Sequence, residues 1–532
     1  MSQPVIVVGA GPVGLASALL LARWQVPSLV LDARPGIEQV GSRAICFQRD
    51  VLDVLDRIDC AAPLVERGVF WQVARTYYRD HELFSVTFPD PGKSAFPPWI
   101  NISQSEVERL LLAAALREPL IELRFGHHVI GYREHGDGVV VDVLVDAAAE
   151  HGQVTVSGSH LIGADGARST VRRAMGVDLP GRSFSDQFLI ADIRAELPFP
   201  HERRFYFDPP WNPGRQVLVH PQPDSVWRID WQVPDDFDLT TERSNGALDA
   251  RIRRIVGDRP YQPVWWSVYR FQERVASAFR VGRAFLVGDA AHLYAPFGAR
   301  GLNSGLQDAE NLAWKLGYVR RGWASEWLLD TYDLERRAAA LVNLKVTGET
   351  MRFLVPGSER EWQRRRTVLD RAVADPAARK LINSGKLAEP YWYLDSPLNT
   401  SPEVPHDFPT EPGAVRPPVP GVLCPDAPCV VAGELTRLRR LMGSGLLVLT
   451  ATAAQADAVR GVAGRAVSSP VRVHAIEEID VNGLIAPALR ATASSVHVIR
   501  PDGHLAAVLP DAAESDLTTA LHRICTVGPT WP

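Results

Sequence analysis

Three glycine-bearing segments, far apart along the chain, have the residue types to receive one dinucleotide. Gly9-Ala10-Gly11-Pro12-Val13-Gly14 follows the apolar run Val5 to Val8 and opens the apolar-periodic stretch from Leu15 to Leu21, so it falls where a buried strand turns into a helix. Glycines at such a turn let the backbone approach a pyrophosphate, and the N–H groups and positive dipole end of the helix receive its charge. Asp32 closes a second apolar run, Ser28 to Leu31, at the spacing where an acid takes a ribose hydroxyl. Gly163-Ala164-Asp165-Gly166 and Gly288-Asp289-Ala290-Ala291-His292 are the other two segments, and together the three point to FAD. The sequence holds no second strand-anchored fingerprint, so a second dinucleotide must bind without such a domain of its own.

The elements that must position these residues follow from apolar periodicity and turn residues. Residues 1–185 alternate strands with helical stretches, a strand over 139–143 among them, and read as the first part of an FAD-binding domain. Residues 186–275 turn strand-rich, with runs over 205–207, 217–220 and 226–231 between proline and glycine turns, and read as an inserted substrate-binding β-sheet. Residues 276–395 return to the FAD domain and then run helical over 302–316 and 327–344, which makes that domain discontinuous. The proline-rich stretch 396–420 reads as a linker, and 421–532 as a third module with strands over 445–449, 471–474 and 496–499, a turn at Pro501-Asp502-Gly503-His504 and a final helix from Ala512. The fold class is α/β.

At 532 residues the chain exceeds one ordinary domain, and 46% apolar with 22% charged residues is a globular composition. A net charge of −5 gives no electrostatic footprint for nucleic acid. No apolar run approaches the ~18–20 residues that span a bilayer, and Met1-Ser2-Gln3-Pro4 leads into the first strand without a basic segment, so the expectation is a cytoplasmic protein with no membrane partner. The five cysteines are odd in number and lack metal-site or Cys-x-x-Cys spacing; free thiols and no bound metal are expected.

Further segments carry a resemblance. Ser42-Arg43-Ala44, Ile102-Ser103-Gln104, Asp165-Gly166 with Arg168-Ser169, the run Gly282 to His292, Pro296 to Gly305 and Gln307 to Lys315 resemble the group A flavoprotein monooxygenases, FAD-dependent aromatic hydroxylases that include the phenol, resorcinol and 3-(3-hydroxyphenyl)propionate hydroxylases. The resemblance implies a Rossmann-like FAD domain of the p-hydroxybenzoate hydroxylase type, an inserted sheet and a thioredoxin-like C-terminal domain, here without a redox cysteine pair. It implies FAD contacts at Gly9, Gly11, Pro12, Gly14, Asp32, Arg43, Gln104, Asp165, Gly288, Asp289, Pro296, Gly301, Leu302 and Asn303. Arg43 and Gln104 would meet the phosphate and ribitol, Asp289 a ribitol hydroxyl, and Leu302 and Asn303 would offer backbone N–H groups to the flavin. Asp165 is open between a cofactor contact and a turn former. His292 would support the turn, and Arg300 stands where glutamine is commoner.

The chemistry implied by the resemblance is hydroxylation of an electron-rich, phenol-like or heteroaromatic ring through a flavin C4a-hydroperoxide, with NADPH or NADH as reductant and O2, in aromatic catabolism or natural-product tailoring. A homodimer or higher homo-oligomer often accompanies the extra domain. His220, Tyr206, Asp230 and Tyr269 are the candidates to take a phenolic proton or orient the ring. Tyr206, Trp227 and Tyr269 are expected as an apolar wall, with Arg228, Asp230 and His220 as its polar groups. Strand alternation separates Val217, Val219 and Pro221 from Leu218 and His220, and the His220 set is expected at the pocket. A Baeyer–Villiger or epoxidising monooxygenase would share every flavin motif, and a flavin-bearing sequestration protein without turnover is the reading from a different class.

Overall fold

The computed structural model describes residues 3–37, 44–88, 94–147, 150–400, 408–411, 414–510 and 513–525. Its centre is the strand Val5–Val8, buried throughout and paired in parallel with Ser28–Asp32 on one side and His160–Gly163 on the other. Ile121–Phe125 and Ala284–Leu286 extend the sheet outward in parallel, and Arg280–Val281 closes one edge antiparallel. Parallel strands covered on both faces need apolar residues at every position, which is why these runs do not alternate. The helix Pro12–Arg23, buried along most of its length, covers one face together with Gly301–Arg320. An antiparallel layer of His127–His135, Gly138–Ala147 and Glu150–Gly158 adjoins them; the strand expected over 139–143 is its longer centre.

The second sheet has eight strands, in the order His292–Leu293, Gln262–Val275, Gly181–Arg194, Val226–Val233, Gln216–Gln222, Arg203–Phe207, Val73–Tyr78 and His81–Thr87. It is wider than the expected 186–275. Arg203–Phe207 would otherwise expose a row of unpaired backbone groups, and Val73–Tyr78, from the first FAD segment, pairs with it in parallel. One face of this sheet, with Leu189, Val217, Trp227, Ile229 and Trp231, packs on Leu248, Ile252 and Val256 of the helix Ala247–Val256. The opposite face turns to the FAD domain.

The helix Trp327–Leu354 runs beyond the expected 327–344, through Gly348, because the first proline is Pro356, which biases Val355 away from helical geometry. The C-terminal module is a mixed sheet ordered Val471–Ala475, Leu446–Thr450, Val496–Ile499, Leu505–Leu509, with helices Ala453–Ala466 and Glu514–Cys525. A Thr452/Gln455 capping box starts the first helix. The stretch read as a linker is seated where it is described: Leu398 and Asn399 are buried, Thr400 N–H donates to Ala506, and Gly421 O accepts from Tyr393 N–H. Arg500 crosses from the module to Glu335 on the long helix, which also receives Lys315 at 2.7 Å, and Asp502 lies beside it. All five cysteines are free and buried.

Candidate functional site

A single cavity of about 1110 Å³ runs from the fingerprint turn to the inward face of the eight-stranded sheet. At one end Gly11 caps the helix Pro12–Arg23 without a side chain, so the first N–H groups of that helix have no protein acceptor along the axis. A Cβ built on Gly14 would lie 1.9 Å from the Gly9 carbonyl, whereas one built on Gly11 meets nothing within 4 Å. The turn is closed tightly on its inner side and open on the side facing the cavity. That is the shape a pyrophosphate requires.

Asp32 stands at the end of its strand with a buried carboxylate that accepts from Ala10 N–H at 2.7 Å and from Arg34 N–H at 2.8 Å. Burial works against its charge, but the Arg34 hydrogen bonds and the Ala10 N–H outweigh it and hold the carboxyl below its ordinary value. Asp32 thereby fixes the turn while facing the same cavity. Arg43 lies outside the described residues. Gln104 lines the cavity, accepts from Ala44 N–H at 3.3 Å and donates to Glu108 at 2.7 Å.

Asp165 also lines the cavity, yet its carboxylate is taken up locally. It accepts from Ser169 Oγ at 2.5 Å and from the N–H groups of Thr170 and Val171, at the start of the helix Thr170–Ala174. Of the two roles left open for it, the turn-forming one is the one its contacts display. Asp289, by contrast, is exposed to the cavity within the short 3-10 turn Gly288–Ala290. That turn is held from behind: Asp308 accepts from Gly288 N–H at 3.0 Å and pairs with His292 Nε2 at 2.7 Å, the supporting part assigned to the histidine.

Gly301, Leu302 and Asn303 form the first turn of Gly301–Arg320 and line the cavity beside Pro296. The N–H groups of such a turn have no intrahelical acceptor and are available to a ligand. The Asn303 side chain is committed to the protein, donating to Cys46 O at 2.9 Å and accepting from Gln48 N–H at 3.2 Å. The Pro296 carbonyl accepts from Ala299 N–H at 3.0 Å. Arg300, which stands where glutamine is commoner, lines the cavity and is largely buried, with its guanidinium on Asn343 and the carbonyls of Lys386 and Leu387, so it clamps that segment.

At the other end of the cavity, alternation along the strands decides what it meets. Leu218, His220, Arg228, Asp230 and Tyr269 line it, with Phe188 and Phe271 stacked at 4.2 Å between ring centres. Tyr206 and Trp227 do not. Tyr206 stacks on Tyr77 at 4.7 Å on the outer face, and Trp227 donates to Ala195 O in the outer core; of the expected aromatic wall Tyr269 is in place, and Phe188, Phe271 and Phe297 complete it. His220 and Arg228 lie opposite one another across their strands. Arg228 is held by Asp192 through two contacts of 2.8 Å. Burial, with the charges of Arg203 and Arg228, depresses His220 well below its usual range, so its ring is neutral. Burial pushes the Asp230 carboxyl up to about 7 against the pull of Arg228.

Besides Phe188 and Phe271, the cavity is lined by Arg203 and Cys46, which no motif in the sequence marks. Arg203 sits within Glu202-Arg203-Arg204, which reads as a solvated charge run, but it is in phase with Phe205 and Phe207 and so shares their inward face. Cys46 donates to Asn101 Oδ1 at 2.9 Å, and burial pushes its thiol up to about 12.

A glycine cradle, an acid at the ribose position, an exposed acid at a second turn and a helix start beside an aromatic chamber define a flavin-binding oxidoreductase fold, and these residues fit FAD. Residues 2–346 match the family model of an FAD binding domain, and residues 417–527 that of the C-terminal domain of aromatic-ring hydroxylases. The chain belongs to the FAD-dependent aromatic hydroxylases, the group A flavoprotein monooxygenases. It is similar to the 3-(3-hydroxy-phenyl)propionate/3-hydroxycinnamic acid hydroxylase of Mycolicibacterium gilvum, 31% identical over 384 residues that cover 71% of this chain and 65% of that one. A 6-methylpretetramide 4-monooxygenase of Streptomyces rimosus is 34% identical over 345 residues, 62% of this chain and 58% of its own. The chain thus spans less than two thirds of the length of these relatives. In fold it is similar to the flavin-dependent monooxygenase PieE, whose structure contains FAD and substrate, with a TM-score of 0.83 at 23% identity over 98% of this chain and 99% of that one. Among the described residues no helix is long and apolar enough to cross a membrane.

Proposed function

We propose that this protein is an NAD(P)H- and O2-dependent monooxygenase that places a hydroxyl group on an electron-rich, phenol-like ring. The observation that carries the reading is the continuity of the cavity. At about 1110 Å³ it exceeds the roughly 300–1,000 Å³ usual for one ligand, leaving room for a ring beside the cofactor. When bound, FAD supplies the redox chemistry, taking electrons from the nicotinamide and activating oxygen.

The chain's own residues prepare the ring. Phe188, Phe271 and Phe297 pack around one end of the chamber and exclude water from it. Asp230, partly buried and with a buried Oδ1 that lacks a protein partner, is positioned to take a phenolic proton, and a carboxyl near 7 is matched to that task at neutral pH. The neutral His220 ring, with Nδ1 also without a partner, offers a hydrogen bond that orients the hydroxyl. The names of the relatives support the substrate class, since one acts on a hydroxyphenyl ring.

The test is turnover under labelled oxygen gas with a phenolic substrate and NADH or NADPH. One labelled atom is expected in a new ring hydroxyl and the other in water. Label in an inserted ester oxygen, or flavin retained without substrate-stimulated NAD(P)H oxidation, would overturn the reading.

A further inference from the structure

Resting on that reading, we propose that Arg203 is a carboxylate anchor, and that the ring this enzyme binds carries an acid side chain reaching from the Asp230 end of the sheet to Arg203. Arg203 is 4% exposed and lines the cavity. A guanidinium has five N–H donors, and a buried one without acceptors is costly. Other buried arginines here are furnished with them. Arg228 has the two oxygens of Asp192, Arg336 has Asp308 with Tyr393 and a carbonyl, and Arg300 has an amide oxygen and two carbonyls. Arg203 has the Ser384 carbonyl at 2.9 Å and lies over the Phe205 ring. Among the described residues it has no carboxylate within ion-pair distance.

The surroundings select the ligand. Arg203 continues the cross-strand row of His220 and Arg228, since Arg204 pairs with Val219 and His220 with Arg228. His220 is neutral, the Cys46 thiol is protonated, and Arg228 is neutralised by Asp192, so the one carboxylate left to act on Arg203 is Asp230, which is not in ion-pair contact with it. One planar fork matches one planar monoanion, a carboxylate, whereas a phosphate dianion calls for more cations. Burial lowers Arg203 to about 10, which still leaves it charged at neutral pH. Asp230 does not fill the place, because it lies two strands across and two residues along, ~12 Å between backbones at ordinary strand spacing. That separation suits a phenol with a short acid side chain, hydroxyl at Asp230 and carboxylate at Arg203.

The experiment uses the FAD-replete full chain and three probes: 3-(3-hydroxyphenyl)propionate, its primary amide, and 3-propylphenol. Probe-stimulated NAD(P)H oxidation gives kcat/KM, and the change in flavin absorbance gives Kd. The wild type is expected to favour the acid over the amide by about 10- to 100-fold, the range of a hydrogen-bonded charge. Arg203→Gln abolishes that preference by weakening the acid alone, and Arg203→Lys restores part of it. Equal handling of acid and amide by the wild type, or equal loss of both in Arg203→Gln with FAD content unchanged, overturns the anchor. If Arg203→Gln loses FAD or misfolds, the wild-type acid-to-amide ratio and the Arg203→Lys variant decide. Turnover of 3-propylphenol with no advantage for the acid removes the anchor and leaves the hydroxylase reading standing. If no probe stimulates NAD(P)H oxidation, the hydroxylase reading fails and the anchor with it.

Discussion

Asp308 and Arg336 meet at 2.7 Å where neither side chain is more than 2% exposed. The same carboxylate holds Gly288 N–H and His292, so one buried acid ties the long helix to the turn that presents Asp289. Asp308→Asn leaves a buried guanidinium uncompensated, a change that costs about 3–5 kcal/mol. A lower melting temperature and faster loss of FAD on dilution are expected. Wild-type melting and flavin retention would refute the coupling.

Gly11 and Gly14 separate folding from cofactor binding. An added methyl at Gly14 runs into the Gly9 carbonyl, so Gly14→Ala should destabilise the protein even without FAD. The same methyl at Gly11 enters open space on the cavity side, so Gly11→Ala should melt like wild type as apoprotein and bind FAD at least about tenfold more weakly. Thermal melts of both apoproteins with FAD titrations check this. Unaltered FAD affinity in Gly11→Ala would mean that the cofactor phosphate lies elsewhere.

Asp230 makes two pH effects. If it takes the phenolic proton, kcat/KM rises with pH until the carboxyl is ionised near 7 and is level above, and Asp230→Asn lowers it by about 10²- to 10⁴-fold and removes the rise. In stability the sign is opposite. The folded carboxyl titrates above its ordinary 3.8, so its contribution is present below that value and is lost as pH climbs through about 7. Asp230→Asn should therefore gain on wild type, by on the order of a few kcal/mol, between pH 4 and pH 8. Parallel pH profiles of the two proteins would contradict both effects.

His220 faces the chamber from the sheet, on a different element from the fingerprint turn. His220→Ala should keep FAD binding while reducing hydroxylation or raising the share of oxygen released as peroxide. Coupling and turnover equal to wild type would remove it from the substrate site.

Arg500 pairs with Glu335 and Asp502 where none of the three side chains is more than 2% exposed, and burial opposes every charge in the group while their mutual attraction holds both acids ionised. Among the described residues, Arg500→Met leaves Lys315 as the only Lys or Arg paired with either of the two buried carboxylates, and a loss of about 3–5 kcal/mol is expected in thermal or denaturant unfolding. A change below about 1 kcal/mol would show that the C-terminal module docks through its apolar contacts instead.

The sequence makes the cofactor end legible because a tight turn next to a pyrophosphate tolerates few residue types, and Gly9, Gly11, Gly14 and Asp32 fall together where the motif requires. Asp165 stayed ambiguous for a physical reason: the same carboxylate suits a ligand and the N–H groups of its own following turn, and only geometry chooses. On the sheet, period 2 ranks residues into two faces without saying which face is inward. Leu218 and His220 share the chamber face, whereas Tyr206 is out of phase with Phe205 and Arg203 and points outward. Asp502 shows what turn chemistry conceals. Pro501-Asp502-Gly503 reads as an exposed bend, yet Asp502 is 3% exposed and accepts from Arg500, Trp314 and Asn311. Replacing Asp502 should therefore disturb the fold around Glu335 and Arg500.

The parallel sheet seats Ala284–Leu286 directly beside His160–Gly163, after five of the eight strands of the second sheet have intervened. For a chain emerging from the ribosome this sets an order of events. The first fingerprint is exposed early, but the strand leading into the Asp289 turn, and the helix Gly301–Arg320 that closes the opposite side, emerge only after more than half the polypeptide has been made. Nascent protein must protect two unfinished sheet edges through that interval, so its window for aggregation or chaperone capture ends when residues near 320 arrive, and FAD supplied earlier has no complete site to rescue it.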